Sequence, residues 1–275
     1  MTDTLKSDVL LAARLSVRYG DKPAVLRDVD LEIRRGEVLG LVGQSGSGKS
    51  TLAMAILGLL DRKSARTEGS IHFDGGDLLN LRERELRGLR GRKIALVLQS
   101  PLSSLNPALK IRTQLTEAWR AHAADPNADC EAAIRAALES VSLPSSDEFL
   151  RKYPSQMSVG QAQRVLIAMA VMHRPALLIA DEATSALDVI TQSEILALFR
   201  ELNRNSGMAI LYISHDLASV AGICDRIAIL HQGQIVETGT TQQVLTIPRH
   251  EYTQRLMAAM PKMPLRTAAG KAAAI

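Results

Sequence analysis

The chain carries the run Gly43-Gln44-Ser45-Gly46-Ser47-Gly48-Lys49-Ser50-Thr51, which fits the pattern G-x4-G-K-[ST]. An apolar segment, residues 38–42, runs straight into it, and a helical pattern over residues 51–60 follows. A strand that ends in glycines and opens into a helix aims several backbone N–H groups at one point. That nest, with the positive end of the helix dipole, suits a polyphosphate. The glycines matter because a Cβ would block close approach of the backbone. Lys49 can reach the β- and γ-phosphates, and the Ser50 hydroxyl can ligate Mg²⁺. With glycine near 7% of residues, such a pattern arises by accident in on the order of one per cent of chains this long.

A second run, Ala176-Leu177-Leu178-Ile179-Ala180-Asp181-Glu182, delivers two carboxylates to the end of a buried strand. That is where α/β sheets bind ligands. Standing alone, the pair would suit an acidic strand end that caps the next helix. Beside a phosphate loop, Asp181 can hold Mg²⁺ and Glu182 can polarise an attacking water.

The elements that must position these groups are legible as well. Short apolar runs at 38–42, 94–98, 177–180, 209–213 and 227–230 alternate with longer helical patterns, predicting a parallel or mixed sheet covered by helices. Residues 10–19 and 29–33 alternate more and point to a separate antiparallel sheet. Between 100 and 170 the texture turns helical, notably at 115–124 and 130–140, with turn clusters at 125–127 and 143–146. This predicts a helical subdomain inserted into one nucleotide-binding domain over 1–245. Residues 246–275 form a C-terminal extension whose last part, from Pro261, is expected to be disordered and without function.

Bulk properties exclude several classes. Lys plus Arg is 33 and Asp plus Glu is 29, a net charge of +4 without the concentrated basic stripe of a nucleic-acid protein. The two cysteines, Cys130 and Cys224, have no metal-ligand or redox spacing, which fits a reducing compartment. No secretion signal opens the chain and no apolar run is long enough to span a bilayer. Any membrane role is therefore expected to be peripheral, exerted on partners that do span.

With these residues in place, the chain resembles the ABC (ATP-binding cassette) ATPase family over roughly residues 10–243. The resemblance implies an α/β fold: a P-loop NTPase, RecA-like core with an antiparallel β subdomain and an inserted α-helical subdomain. It implies ATP and Mg²⁺ as cofactors. Tyr19, in the turn before the phosphate loop, resembles the aromatic that stacks on adenine. Gln99 resembles the glutamine that senses Mg²⁺ and the γ-phosphate. Asp188, ending Ser185-Ala186-Leu187-Asp188, resembles the D-loop aspartate, and His215 resembles the switch histidine. Met157-Ser158-Val159-Gly160-Gln161 resembles the signature LSGGQ, whose Ser158, Gly160 and Gln161 would meet the nucleotide of an opposite subunit. Val159 departs from that pattern. Were the position to need positive φ or a tight backbone approach, valine would be strained there and the half-site weakened. A helix starting at this point would accept it at a modest propensity cost.

Gln99-Ser100-Pro101-Leu102-Ser103-Ser104-Leu105-Asn106-Pro107 is similar to the Q-loop of the oligopeptide, dipeptide and nickel importer group. Residues 250–261, HEYTQRLMAAMP, are similar to that group's C-terminal segment. The resemblance implies an ATPase that powers import of peptides, nickel or a related small solute. It would act at the cytoplasmic face of the bacterial inner membrane with a second ABC ATPase subunit, two transmembrane permease subunits and, indirectly, an extracytoplasmic substrate-binding protein. No nucleic-acid partner is expected. The absence of cysteine after Cys224 predicts no iron–sulfur cluster and tilts slightly toward the nickel or metallophore branch. The rival within the family is a non-transport ABC ATPase of DNA repair or translation. Such proteins typically add zinc fingers, long coiled coils or a second cassette, none of which this sequence shows.

Overall fold

The computed structural model describes residues 8–259 except 62, 124, 126 and 127. Two sheets organise it. The first is antiparallel, in the order β2-β1-β4-β5, from β1 (Val9–Tyr19), β2 (Leu26–Arg34), β4 (Ala65–Phe73) and β5 (Gly76–Asp77). The second runs β10-β9-β3-β8-β7-β6. It is built from β3 (Val38–Val42), β6 (Ile94–Val97), β7 (Leu177–Asp181), β8 (Ala209–Ser214), β9 (Arg226–His231) and β10 (Gln234–Thr240). Its strands pair in parallel except β9 with β10.

The parallel strands are apolar on both sides because both faces are covered, and their side chains divide by parity. Val38 and Val42 of β3 face one core while Leu39 and Leu41 face the other. Leu178 and Ala180 of β7 and Ile210 and Tyr212 of β8 join the first core; Leu177, Ile179, Leu211 and Ile213 join the second. This is the period of two expected of a strand. The second core is closed by the antiparallel sheet and the helix Lys49–Ile56. The first is closed by Ile111–His122, Cys130–Ser140, Val159–Val171 and Val189–Ser206. Truncating a fully buried member such as Leu41 costs about 2–5 kcal/mol.

Local signals explain where the elements differ from the sequence reading. The helix expected over 51–60 is Lys49–Ile56: it starts directly after Gly48 (φ 109°) and is ended by Gly58 (φ 62°). The strand expected over 94–98 stops at Val97, and Leu98 is exposed as the chain turns out toward Gln99. The helix expected over 115–124 is Ile111–His122, and position 124 lies outside the described residues. The same is true of Pro126 and Asn127 in the expected turn, and of the whole C-terminal stretch 260–275. No helix among the described residues is long and apolar enough to cross a membrane.

Candidate phosphate-binding site

The parallel registers set the site. Val42 pairs with Ser214, Asp181 with Ile213, and Val97 with Ala180. Gly43, Glu182 and His215 are each the first residue past a strand, and Gln99 is the second past β6. Neighbouring strands therefore present the loop glycine, the carboxylates, the histidine and the glutamine along one sheet edge.

The loop is shaped by contacts only glycine allows. A Cβ on Gly43 would lie 2.3 Å from the Leu230 carbonyl oxygen, and one on Gly48 would lie 2.6 Å from Leu26 Cδ2. Lys49 is buried, and its ammonium donates to the carbonyls of Gly43 (2.8 Å) and Gln44 (3.1 Å). It also lies 3.8 Å from Glu182 Oε1. Burial pulls the Lys49 pKa down, opposed by the charges of Glu182 and Asp181.

Glu182 is held in the left-handed region, φ 48°, where a residue with a Cβ is strained. The surroundings fix it at both ends. Its N–H donates to the Ile213 carbonyl (3.0 Å), and its own carbonyl accepts from the Ser185 N–H (3.1 Å) and hydroxyl (3.0 Å). The carboxylate so placed has Lys49 on one side and His215 Nδ1 at 3.4 Å on the other. That position suits activation of a water beside a phosphate.

Asp181 is buried, and burial pushes its pKa up against the opposing pull of a hydrogen bond with the Ser50 side chain. Its Oδ1 has no hydrogen-bond partner among the described residues. An orphaned carboxylate oxygen beside a hydroxyl at the mouth of a phosphate loop is a hard-oxygen donor set. It fits Mg²⁺. Among the described residues no group of three or more His, Cys, Asp or Glu gathers as a metal cage.

The remaining expected residues fall into two groups. Gln99 is exposed, and no described hydrogen bond or ion pair joins it to Glu182 or Lys49. Tyr19 corrects the sequence reading: it is the last residue of β1, half-buried against the second core, and the turn begins at Gly20. Gln44, Ser45, Gly46, Ser47 and Thr51 lie on the loop and its helix as expected. Ser47 Oγ is buried without a partner among the described residues.

The family described as "ABC transporter" matches residues 26–185. The chain is 42% identical over 252 residues to the dipeptide transport ATP-binding protein DppD of Escherichia coli, covering 90% of this chain and 77% of that protein. The chain belongs to the ABC transporter family.

This cassette is also 43% identical over 266 residues to the peptidoglycan transport ATP-binding protein YejF of Agrobacterium fabrum. The match takes in 95% of this chain but spans about half, 49%, of YejF. Among solved structures it is similar to the dimeric post-hydrolysis state of the ATP-binding cassette MJ0796 bound to ADP and Pi. There the TM-score is 0.71 at 28% identity, covering 84% of this chain and 98% of that one.

The segment expected as the signature stands apart from the phosphate loop: among the described residues no hydrogen bond or ion pair joins Ser158, Gly160 or Gln161 to it. Ser158 caps the helix Val159–Val171 by accepting from the Gln161 N–H (3.1 Å), and Gln161 Oε1 accepts in return from the Ser158 N–H (3.2 Å). Val159 is the first residue of that helix and is absent from the positive-φ residues, so valine is unstrained there. The tight position is Gly160, where a Cβ would meet Thr191 Cγ2 at 2.7 Å. Thr191, which the sequence reading missed, also donates its hydroxyl to Asp188 Oδ2 (2.7 Å), and Asp188 caps the helix Val189–Ser206. Thr191 therefore links Gly160 to Asp188. Val159→Gly is expected to leave stability within about 0.5 kcal/mol and ATP turnover nearly unchanged. Gly160→Val is expected to lower both melting temperature and turnover, as thermal unfolding and phosphate-release assays would show.

Proposed function

We propose that this chain is the ATP-hydrolysing subunit of an importer for peptides or a related small solute. The observation that carries hydrolysis is the Glu182 carboxylate, locked between Lys49 and His215 at the mouth of the phosphate loop. The similarity to DppD and YejF supports the cargo class, because those relatives are named for dipeptide and peptidoglycan transport. Neither name supports the nickel branch that the cysteine pattern suggests, so peptides are the primary reading.

In this reading Tyr19 stacks on adenine, residues 43–51 hold the phosphates, and Lys49 neutralises charge on the β- and γ-phosphates. Ser50 and Asp181 would hold Mg²⁺, which would neutralise phosphate charge there, and Gln99 would sense it. Glu182 takes the proton of the attacking water, and His215 stands by the γ-phosphate. Ser158, Gly160 and Gln161 serve the opposite subunit's nucleotide in a head-to-tail dimer, with Asp188 at the junction. That the similar MJ0796 cassette is dimeric supports a dimer. The partners are a second ATPase subunit and two permeases at the cytoplasmic face of the membrane, with a substrate-binding protein outside.

Expressed with its membrane partners, the chain should co-purify with two permeases, and their ATP turnover should rise with peptide-loaded binding protein. A chain that hydrolyses ATP but binds ribosomes or DNA in place of permeases would overturn the transport reading.

A further inference from the structure

The C-terminal segment that marks the importer group also reaches the catalytic loop. The helix Glu251–Ala258 is anchored at its start by Glu237 of β10, whose carboxylate accepts from the backbone N–H groups of Arg249 (2.8 Å) and His250 (3.0 Å). His250 caps the helix, its Nδ1 accepting from the Tyr252 N–H at 3.1 Å. Tyr252 is thereby turned inward and buried. Its ring stacks on His231 at the end of β9, with centroids 3.7 Å apart and planes 22° from parallel. Its hydroxyl accepts from the Gln44 N–H at 3.3 Å.

Gln44 is the residue on which the loop closes. Its carbonyl accepts from both the Ser47 N–H (3.1 Å) and the Lys49 ammonium (3.1 Å). The hairpin carrying His231 braces the same loop from below. The Gly233 N–H donates to the Ser47 carbonyl at 3.1 Å, and Gly43 sits where a Cβ would strike the Leu230 carbonyl. One residue, Gln44, is therefore tied through its N–H to Tyr252 and through its carbonyl to Lys49.

We propose that Tyr252 is a positioning residue for ATP hydrolysis, a brace from the C-terminal helix that holds the entry of the phosphate loop in its phosphate-accepting shape. It lies outside residues 26–185, the part matched by the family as a whole. It touches no reacting atom and acts through Gln44 on Lys49 and the loop amides. A loop ordered before the nucleotide arrives loses less freedom on binding, so the brace acts on affinity more than on the chemical step. At 3.3 Å the hydroxyl contact is long, which limits the effect to a modest one.

The test, which rests on the ATPase reading, uses Tyr252→Phe in the full chain; the variant keeps the stacked ring and removes only the hydroxyl. The expected result is a KM for ATP raised about two- to fivefold with kcat changed much less. Amide exchange of residues 43–49 in the nucleotide-free protein should be faster, at an unaltered melting temperature. Glu237→Ala, remote from the loop, should shift KM the same way, and the double variant should add little to either alone. Unchanged KM and unchanged exchange at 43–49 would overturn the proposal, as would a lower melting temperature alone. The exchange measurement needs no turnover, so it separates failure of the brace from failure of the ATPase reading.

Discussion

Glu182→Gln is expected to lower ATP turnover about 10²–10³-fold while leaving ATP binding nearly intact. The amide fills the same space but accepts no proton from water. The main chain is fixed by the Ile213 carbonyl on one side and the Ser185 N–H and hydroxyl on the other, so glutamine inherits the φ of 48° and the placement between Lys49 and His215. Losing the charge removes one of the two carboxylates that hold up the Lys49 pKa against burial. The second, Asp181, remains. Steady-state phosphate release measures the first effect. Size-exclusion chromatography with ATP and Mg²⁺ measures the second: a dimer that persists because its nucleotide is not consumed. Near-normal turnover in this variant would remove Glu182 as the general base.

Asp181→Asn should move activity and stability in opposite directions. Hydrolysis should fall by at least a hundredfold, because the substitution removes the one carboxylate poised with Ser50 to hold the ion. The metal-free protein, however, should gain on the order of 1 kcal/mol. The sign follows from the raised pKa, whose chief cause is burial. Between the unfolded and the raised folded value the folded state holds more protons than the unfolded one. Stability therefore falls as pH rises through that window, and the full penalty is present above it. Above that window the native carboxylate carries this penalty and asparagine does not. The gain should vanish below the ordinary aspartate range, where both forms are neutral. Chemical unfolding at several pH values, without metal or nucleotide, reads this out. A variant destabilised at pH values above that window would mean that the Lys49 attraction outweighs burial.

Much of this was legible in the sequence because it rests on local rules. The buried strands β3, β7, β8 and β9 are apolar between their ends, and glycines, Lys49, Asp181 and Glu182 sit at or just past the ends of β3 and β7, so strand, loop and chemistry announce one another. β4 and β10 escaped because their sequences, ARTEGSIHF and QIVETGT, bury little and carry polar residues. They are strands by virtue of the neighbours they pair with. Val159 illustrates the same limit: its identity raised the question of strain, but only the helix starting there shows that the backbone is ordinary. Thr191 and Tyr252 were invisible because their partners, Gly160 and Gln44, are distant in the chain. No periodicity encodes a contact made only by the finished fold.

The placing of Gly43, Glu182 and His215 each one residue past a strand bears on how this site tolerates change. Within β3, β7 and β8, exchange of one aliphatic residue for another alters packing but leaves the row of strand ends aligned. Gain or loss of a single residue inside one of those strands does not. It exchanges the two core faces and displaces one member of the row by a residue rise of about 3.3 Å. Length variation among descendants of this sequence should therefore collect in the segments between strands, leaving the strands themselves with a fixed count however much their residues drift.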